Sequence, residues 1–277
     1  MERWGRVDSH HKEHRCQVSK RLFVEVSTSR RASSAAAIHM LCASTLASLA
    51  APQQLLLIRH GVTNMNVYLS KNPYGQRGFY DPGDYDTRLT DDGREMAAAL
   101  NPILTEDHAR APIELLVASP LTRALQTASL AMDGLDGVPR VANADISERR
   151  YLSSDVGRSP SELAAEYPLF APSLSALPSN WWWEDETAAG AAEAERLSLQ
   201  GGTTLRGVSL PVEPNAHFLA RLESFRGWLE ARPERKIAIV AHWGVFYACL
   251  GRSLKNCELV SCTTDDLLST LCPTPDE

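Results

Sequence analysis

The chain has 277 residues, 44% hydrophobic and 22% charged, a make-up that excludes a wholly disordered or collagen-like protein. Its 28 Lys and Arg against 34 Asp and Glu give a net −6, which argues against bulk attraction to nucleic acid. No apolar run reaches the ~18 residues of a membrane-spanning helix, and six cysteines without a CxxC pair read as reduced thiols rather than a zinc ribbon or a disulfide framework.

Charge divides the chain. Residues 1–53 carry eight basic and four acidic side chains, a net +4, which leaves −10 for the rest. From Val26 to Gln54 there is no acid, and Ser27–Ala37 is rich in Ser, Ala and Arg. Residues 1–52 are therefore expected to lie outside the fold, with residues 53–277 as the catalytic domain. Their composition suits an organelle address, plastid or mitochondrial, or a disordered extension of a cytoplasmic protein. A short secretory apolar region over Met40–Ala51 is the third reading.

Past this segment, Gln54–Ile58 is a short apolar run that reads as a buried strand. Residues 71–88, dense in Gly, Pro, Asp and Tyr, form a loop. Thr90 is placed to cap a helix over Asp91–Leu104. Ile113–Ala118 is a second strand, and Ser119-Pro120 supplies an N-cap and a first-turn proline for a helix over Leu121–Met132. A short helix is expected at Ser161–Tyr167, and residues 171–212 are irregular. The run Trp181–Trp183 there reads as a packed loop under the core edge, or as a cover for a substrate mouth. A long helix runs from Pro214 to Ala231, with Leu219, Leu222, Phe225 and Leu229 at helical spacing. Lys236–Ala241 is a third strand, followed by a helix over Val245–Leu250 and a strand near Glu258–Cys262. Alternating strands and helices predict an α/β fold, a three-layer sandwich with a central, mostly parallel sheet and helices on both faces.

Ligands of such sheets sit beyond the carboxyl ends of the strands. Arg59-His60, Ser119-Pro120 with Arg123, and His242 all fall there. Two guanidinium groups suit the oxygens of a doubly charged phosphate, a neutral histidine can attack phosphorus, and a second histidine can donate to an equatorial oxygen.

Three segments carry a resemblance. Leu57-Ile58-Arg59-His60-Gly61-Val62-Thr63-Asn64-Met65-Asn66, Ser119-Pro120-Leu121-Thr122-Arg123-Ala124-Leu125-Gln126-Thr127-Ala128 and Val240-Ala241-His242-Trp243-Gly244 resemble the three motifs of the histidine phosphatase superfamily, also called phosphoglycerate mutase-like, in its phosphatase-type branch. The resemblance spans about residues 54–265. It implies a metal-independent phosphomonoester hydrolase without a cofactor, acting through a phosphohistidine on a small phosphorylated metabolite. Mutase-type phosphoryl transfer and a phosphate-binding regulatory module are the alternatives. It further implies His60 as the nucleophile, His242 as its partner, Arg59, Arg123 and Asn66 as phosphate-binding residues, and Glu148, from Glu148-Arg149, as the general acid, with Asp145 and Asp155 as competing acids.

Lys71, Arg77, Arg88, Arg150 and Arg206 are candidates for a second anionic substrate group, against the ordinary reading of solvated surface charge. His10, His11 and His14 have no cysteine partners that would make a metal site.

Overall fold

The computed structural model describes residues 52–182, 212–267 and 270–274. The N-terminal segment, Trp183 and Arg206 lie outside the described residues, as do His10, His11 and His14.

Five strands build one sheet: β1 (Gln54–Arg59), β2 (Leu115–Ala118), β3 (Arg140–Ala142), β4 (Lys236–Ala241) and β5 (Leu259–Thr263), in the order β3-β2-β4-β1-β5. The first four are parallel, and β5 closes the β1 edge antiparallel. The inner strands are continuously apolar because both faces are covered. Their side chains still alternate. Leu56, Ile58, Leu116 and Val240 enter one core, while Leu55, Leu57, Val117 and Ile239 enter the other.

The first face is covered by α3 (Asn101–Arg110), α4 (Thr122–Ala131) and α5 (Pro160–Glu166), through Leu104, Leu125 and Leu163. The other is covered by α7 (Asn215–Glu230) and α8 (Trp243–Leu250), through Phe218, Phe225 and Phe246. Helices α1 (Asn64–Lys71), α2 (Asp91–Ala98) and the short α6 (Ala171–Leu174) complete the described α-helices. No described helix is long and apolar enough to cross a membrane.

Several expectations change in detail. The helix expected over Asp91–Leu104 is two helices, with Thr90 capping the first through its hydroxyl on Gly93 N–H at 3.0 Å. Pro102, which has no N–H to continue the ladder, starts the second. Helix α4 begins at Thr122 without a cap from Ser119. Instead Asp86, at φ 44°, accepts Thr122 N–H at 2.8 Å across the loop. Strand β3 was not expected; three residues are too few to leave a pattern. Trp181 is buried and donates its indole N–H to Arg158 O at 2.9 Å, so it packs rather than covers a mouth.

Candidate active site

Main-chain register brings the three motif segments together. Arg59 pairs with Ala241 and Ala118 with Val240. His60 N–H then bonds Ala241 O, and Ser119 N–H bonds Val240 O, both at 3.0 Å. Beyond these strand ends lies a cleft of about 360 Å³ whose wall includes Arg59, His60, Asn66, Arg123 and Glu148. His242 is fully buried beside it, its ring centroid 5.1 Å from that of His60. Five of the six anticipated residues thus line one cleft and the sixth adjoins it.

His60 is oriented by its own neighbour. Its Nδ1 lies 2.8 Å from Gly61 O. A carbonyl only accepts, so the proton is on Nδ1 and the lone pair is on Nε2. Gly61 is held in turn by its N–H on Thr127 Oγ1 at 3.0 Å. A Cβ on Gly61 would come within 2.6 Å of Gly93 O, so this turn requires glycine. Burial and the charges of Arg123 and Arg59 hold His60 well below the usual imidazole range. Burial and Arg123 do the same to His242, and among the described residues neither of its ring nitrogens has a hydrogen-bond partner. Both histidines are neutral at pH 7.

The two arginines are fixed differently. Arg59 donates through Nη1 to Leu254 O at 2.7 Å. Arg123, 4% exposed, donates to Ser154 O at 2.6 Å and to Asp155 Oδ1 at 2.8 Å. Asp155 Oδ2 also accepts the N–H groups of Tyr151 and Leu152, at 3.2 and 3.1 Å. Asn66 gives its carboxamide oxygen to Thr63 N–H at 3.2 Å in a capping box, so its NH2 group is what remains to meet a ligand.

Glu148 faces the arginines with a lighter set of bonds. Its carboxylate accepts Arg149 N–H at 3.0 Å and Gly244 N–H at 3.2 Å. A Cβ on residue 244 would strike Glu148 Oε1 and push the carboxylate from this position. Burial, reinforced by the Asp155 charge, raises the Glu148 carboxyl above its ordinary value, against the pull of Arg123. Behind it, Arg221 clamps three carbonyls of the same loop: Asp145 and Ser147 at 2.7 Å and Glu148 at 3.0 Å. Asp145 is absent from the cleft wall among the described residues.

A sequence profile of the histidine phosphatase superfamily, branch 1, matches residues 55–260. The chain belongs to this superfamily. Comparison with curated protein sequences gives no match. Among solved structures the chain is similar to an alpha-ribazole phosphatase from Shigella flexneri, at 22% identity and a TM-score of 0.42 over 70% of this chain and 76% of that one. It is also similar to a mycobacterial glucosyl-3-phosphoglycerate phosphatase complexed with VO3, at 22% identity and a TM-score of 0.42 over 76% and 92% of the two chains.

In this histidine phosphatase superfamily member, the residues that sequence reasoning missed are supports. Thr127 and Gly93 shape the His60 turn. Asn256 donates to His60 O at 2.9 Å and approaches Asn66 Oδ1 at 3.3 Å. Asp81 accepts Ser153 N–H at 2.7 Å, fixing the turn that receives Arg123. Thr127 stood within a quoted motif, and an Asp before Pro-Gly signals an Asx turn. Among the described residues no group of His, Cys, Asp and Glu is placed to hold a metal ion.

Proposed function

We propose that the protein is a phosphomonoester hydrolase that works through a phosphohistidine on a small phosphorylated metabolite. The observation that carries this is the His60 ring. Gly61 O fixes its Nδ1 proton, its Nε2 lone pair is left for attack, and Arg59, Arg123 and Glu148 share its cleft.

The phosphate of the substrate sits between the Arg59 and Arg123 guanidiniums, with Asn66 NH2 and a His242 N–H as further donors. His60 Nε2 attacks phosphorus. The P–Nε2 bond forms, the P–O bond to the leaving group breaks, and the leaving oxygen takes the proton of Glu148. Water then attacks phosphorus and gives one proton back to Glu148. The P–Nε2 bond breaks and its electron pair returns to His60.

Glu148 suits the acid role better than its two competitors. Asp155 is committed to Arg123 and two backbone N–H groups, and Asp145 is away from the cleft wall. Burial raises the Glu148 carboxyl above its ordinary value, the direction an acid in the first step needs.

A short incubation with labelled substrate followed by denaturation traps an acid-labile phosphoryl group on wild-type His60. In His60→Ala turnover falls by about 10³-fold or more, because the covalent route is gone. Wild-type turnover in the variant overturns the proposal. The same reading assigns catalysis to residues 53–277 and needs no metal. A truncation to those residues turns over with and without chelator; inactivity, or rescue by added divalent metal, refutes it.

A further inference from the structure

The proposed phosphate site occupies one end of the cleft. The other end is apolar, formed by Met65, Leu69, Tyr74, Tyr151 and Leu152, and Trp243, next to His242, adds its ring to the wall. Met65 and Leu152 belong to a small buried cluster with Phe79, against which Leu69, Tyr74 and Tyr151 pack. The polar handles of two of these aromatics are engaged within the protein. Tyr151 OH accepts Arg149 Nη1 at 2.6 Å, and the Arg149 guanidinium sits 4.7 Å from the Tyr151 ring centroid. Trp243 donates Nε1–H to Ser253 Oγ at 2.8 Å and stacks on Tyr247 at 5.2 Å. Tyr74 meets Tyr151 edge-on at 5.9 Å. With their handles tied, the Tyr151 and Trp243 rings present carbon to a ligand.

Among the described residues, the cations that could hold a second anionic group lie off the cleft wall. Arg59 and Arg123 are the cationic side chains of the cleft wall among the described residues. Arg88 is paired bidentately with Glu166 at 2.7 and 2.8 Å. Arg150 is buried and is not among the residues of the cleft wall. Lys71 and Arg77 are exposed and away from the cleft wall.

We infer that this apolar end is a leaving-group subsite, and that the substrates are phosphomonoesters of uncharged alcohols bearing an apolar or aromatic group. Sugar acids and bisphosphates are disfavoured. A cleft of about 360 Å³ has room for a phosphate and one ring. An acid group on the alcohol would be desolvated against Leu69 and Tyr74, and among the described residues the wall offers it no further cation. This rests on the hydrolase reading above, and its test separates the two.

The probes are 2-phenylethyl phosphate, ethyl phosphate and 3-phosphoglycerate. The first two release alcohols of similar acidity, so chemistry at phosphorus is matched and the apolar group alone differs. On the full chain, kcat/KM for 2-phenylethyl phosphate exceeds that for ethyl phosphate by about tenfold or more, the discrimination a filled apolar pocket gives. 3-Phosphoglycerate is the poorest of the three. Leu69→Asn brings the 2-phenylethyl to ethyl ratio towards one. Calorimetry on His60→Ala, which needs no turnover, shows the same order of affinity.

Equal or reversed rates for the first two substrates in the wild type, or a preference for 3-phosphoglycerate, overturn the subsite while leaving the hydrolase reading intact. Tight binding of 2-phenylethyl phosphate without transfer of any phosphoryl group to His60 does the opposite: the subsite stands and the hydrolase reading falls.

Discussion

The two ends of the cleft are built in different ways. At the phosphate end, Arg59 ends β1, His60 and His242 directly follow the adjacent parallel strands β1 and β4, and their spacing is set by the sheet register. At the other end, Leu69 comes from α1, and Tyr74 and Tyr151 come from loops. Those loops are instead fixed by buried acids. Asp81 holds the Ser153 turn, and Asp86 holds the start of α4. On the proposed reading, the chemistry is tied to the strand ends and the choice of alcohol to the loops around them.

Glu148 stands between the two ends, and its removal has the largest effect that can sharpen the contrast. In Glu148→Gln the leaving alkoxide loses its proton donor. Alkyl phosphates fall by about 10²–10⁴-fold in kcat/KM, whereas an aryl phosphate, whose phenolate leaves with little help, falls much less. The alkaline limb of the wild-type profile, which reports deprotonation of this carboxyl, disappears. Equal losses on aryl and alkyl substrates would return the acid role to another group.

Asp155→Asn probes the phosphate end alone. The neutral carboxamide leaves Arg123 less firmly aimed and offers an NH2 group where backbone N–H groups need an acceptor. KM rises by about tenfold on every substrate, aryl and alkyl alike, as expected for a misplaced binding group. The pH profile supplies a second readout. The Asp155 charge raises the Glu148 carboxyl, so its removal lowers that value and moves the alkaline limb to lower pH. An unmoved limb, or a loss confined to alkyl substrates, would break the distinction between the two acids.

The two ends also differ in how far the sequence reveals them. The strands β1 and β4 announce themselves as apolar runs, and the residues at their ends carry recognisable motifs. Arg59, His60, Arg123 and His242 could therefore be placed beforehand. The other end depends on pairings such as Asp81 with Ser153 and Asp86 with Thr122, 72 and 36 residues apart. No local pattern encodes these. The segment 71–88 reads as a loop, and it is one, yet it contributes two buried anchors that composition alone hides. The Glu148 environment is similar. Its carboxyl was legible from Glu148-Arg149, but the Arg221 clamp on α7 is a long-range contact that helical spacing cannot disclose.

That clamp rests on Glu213, a buried carboxylate just before α7. It accepts Arg221 Nε at 2.9 Å, Arg221 Nη2 at 3.0 Å, His217 Nδ1 at 2.6 Å and Arg150 N–H at 3.2 Å. Burial alone would raise its pKa, but Arg221 and His217 outweigh it and hold the carboxyl at about 2, against 4.5 for a free glutamate. The sign of the linkage follows. A depressed carboxyl stabilises the fold above the unfolded value, and that contribution is lost as pH falls from 4.5 towards 2. At 1.36 kcal/mol per unit the contribution is about 3 kcal/mol at pH 7. Glu213→Gln lowers the unfolding free energy by about that amount at neutral pH, and the gap to wild type closes on acidification through this window. Chemical denaturation at several pH values measures it. On the variant that remains folded, turnover changes least of the three substitutions, since Glu213 acts on the loop backbone and not on the reacting atoms. A gap that is constant with pH would mean that Glu213 holds this loop by shape, not by charge, and would detach the Glu148 loop from the electrostatics of α7.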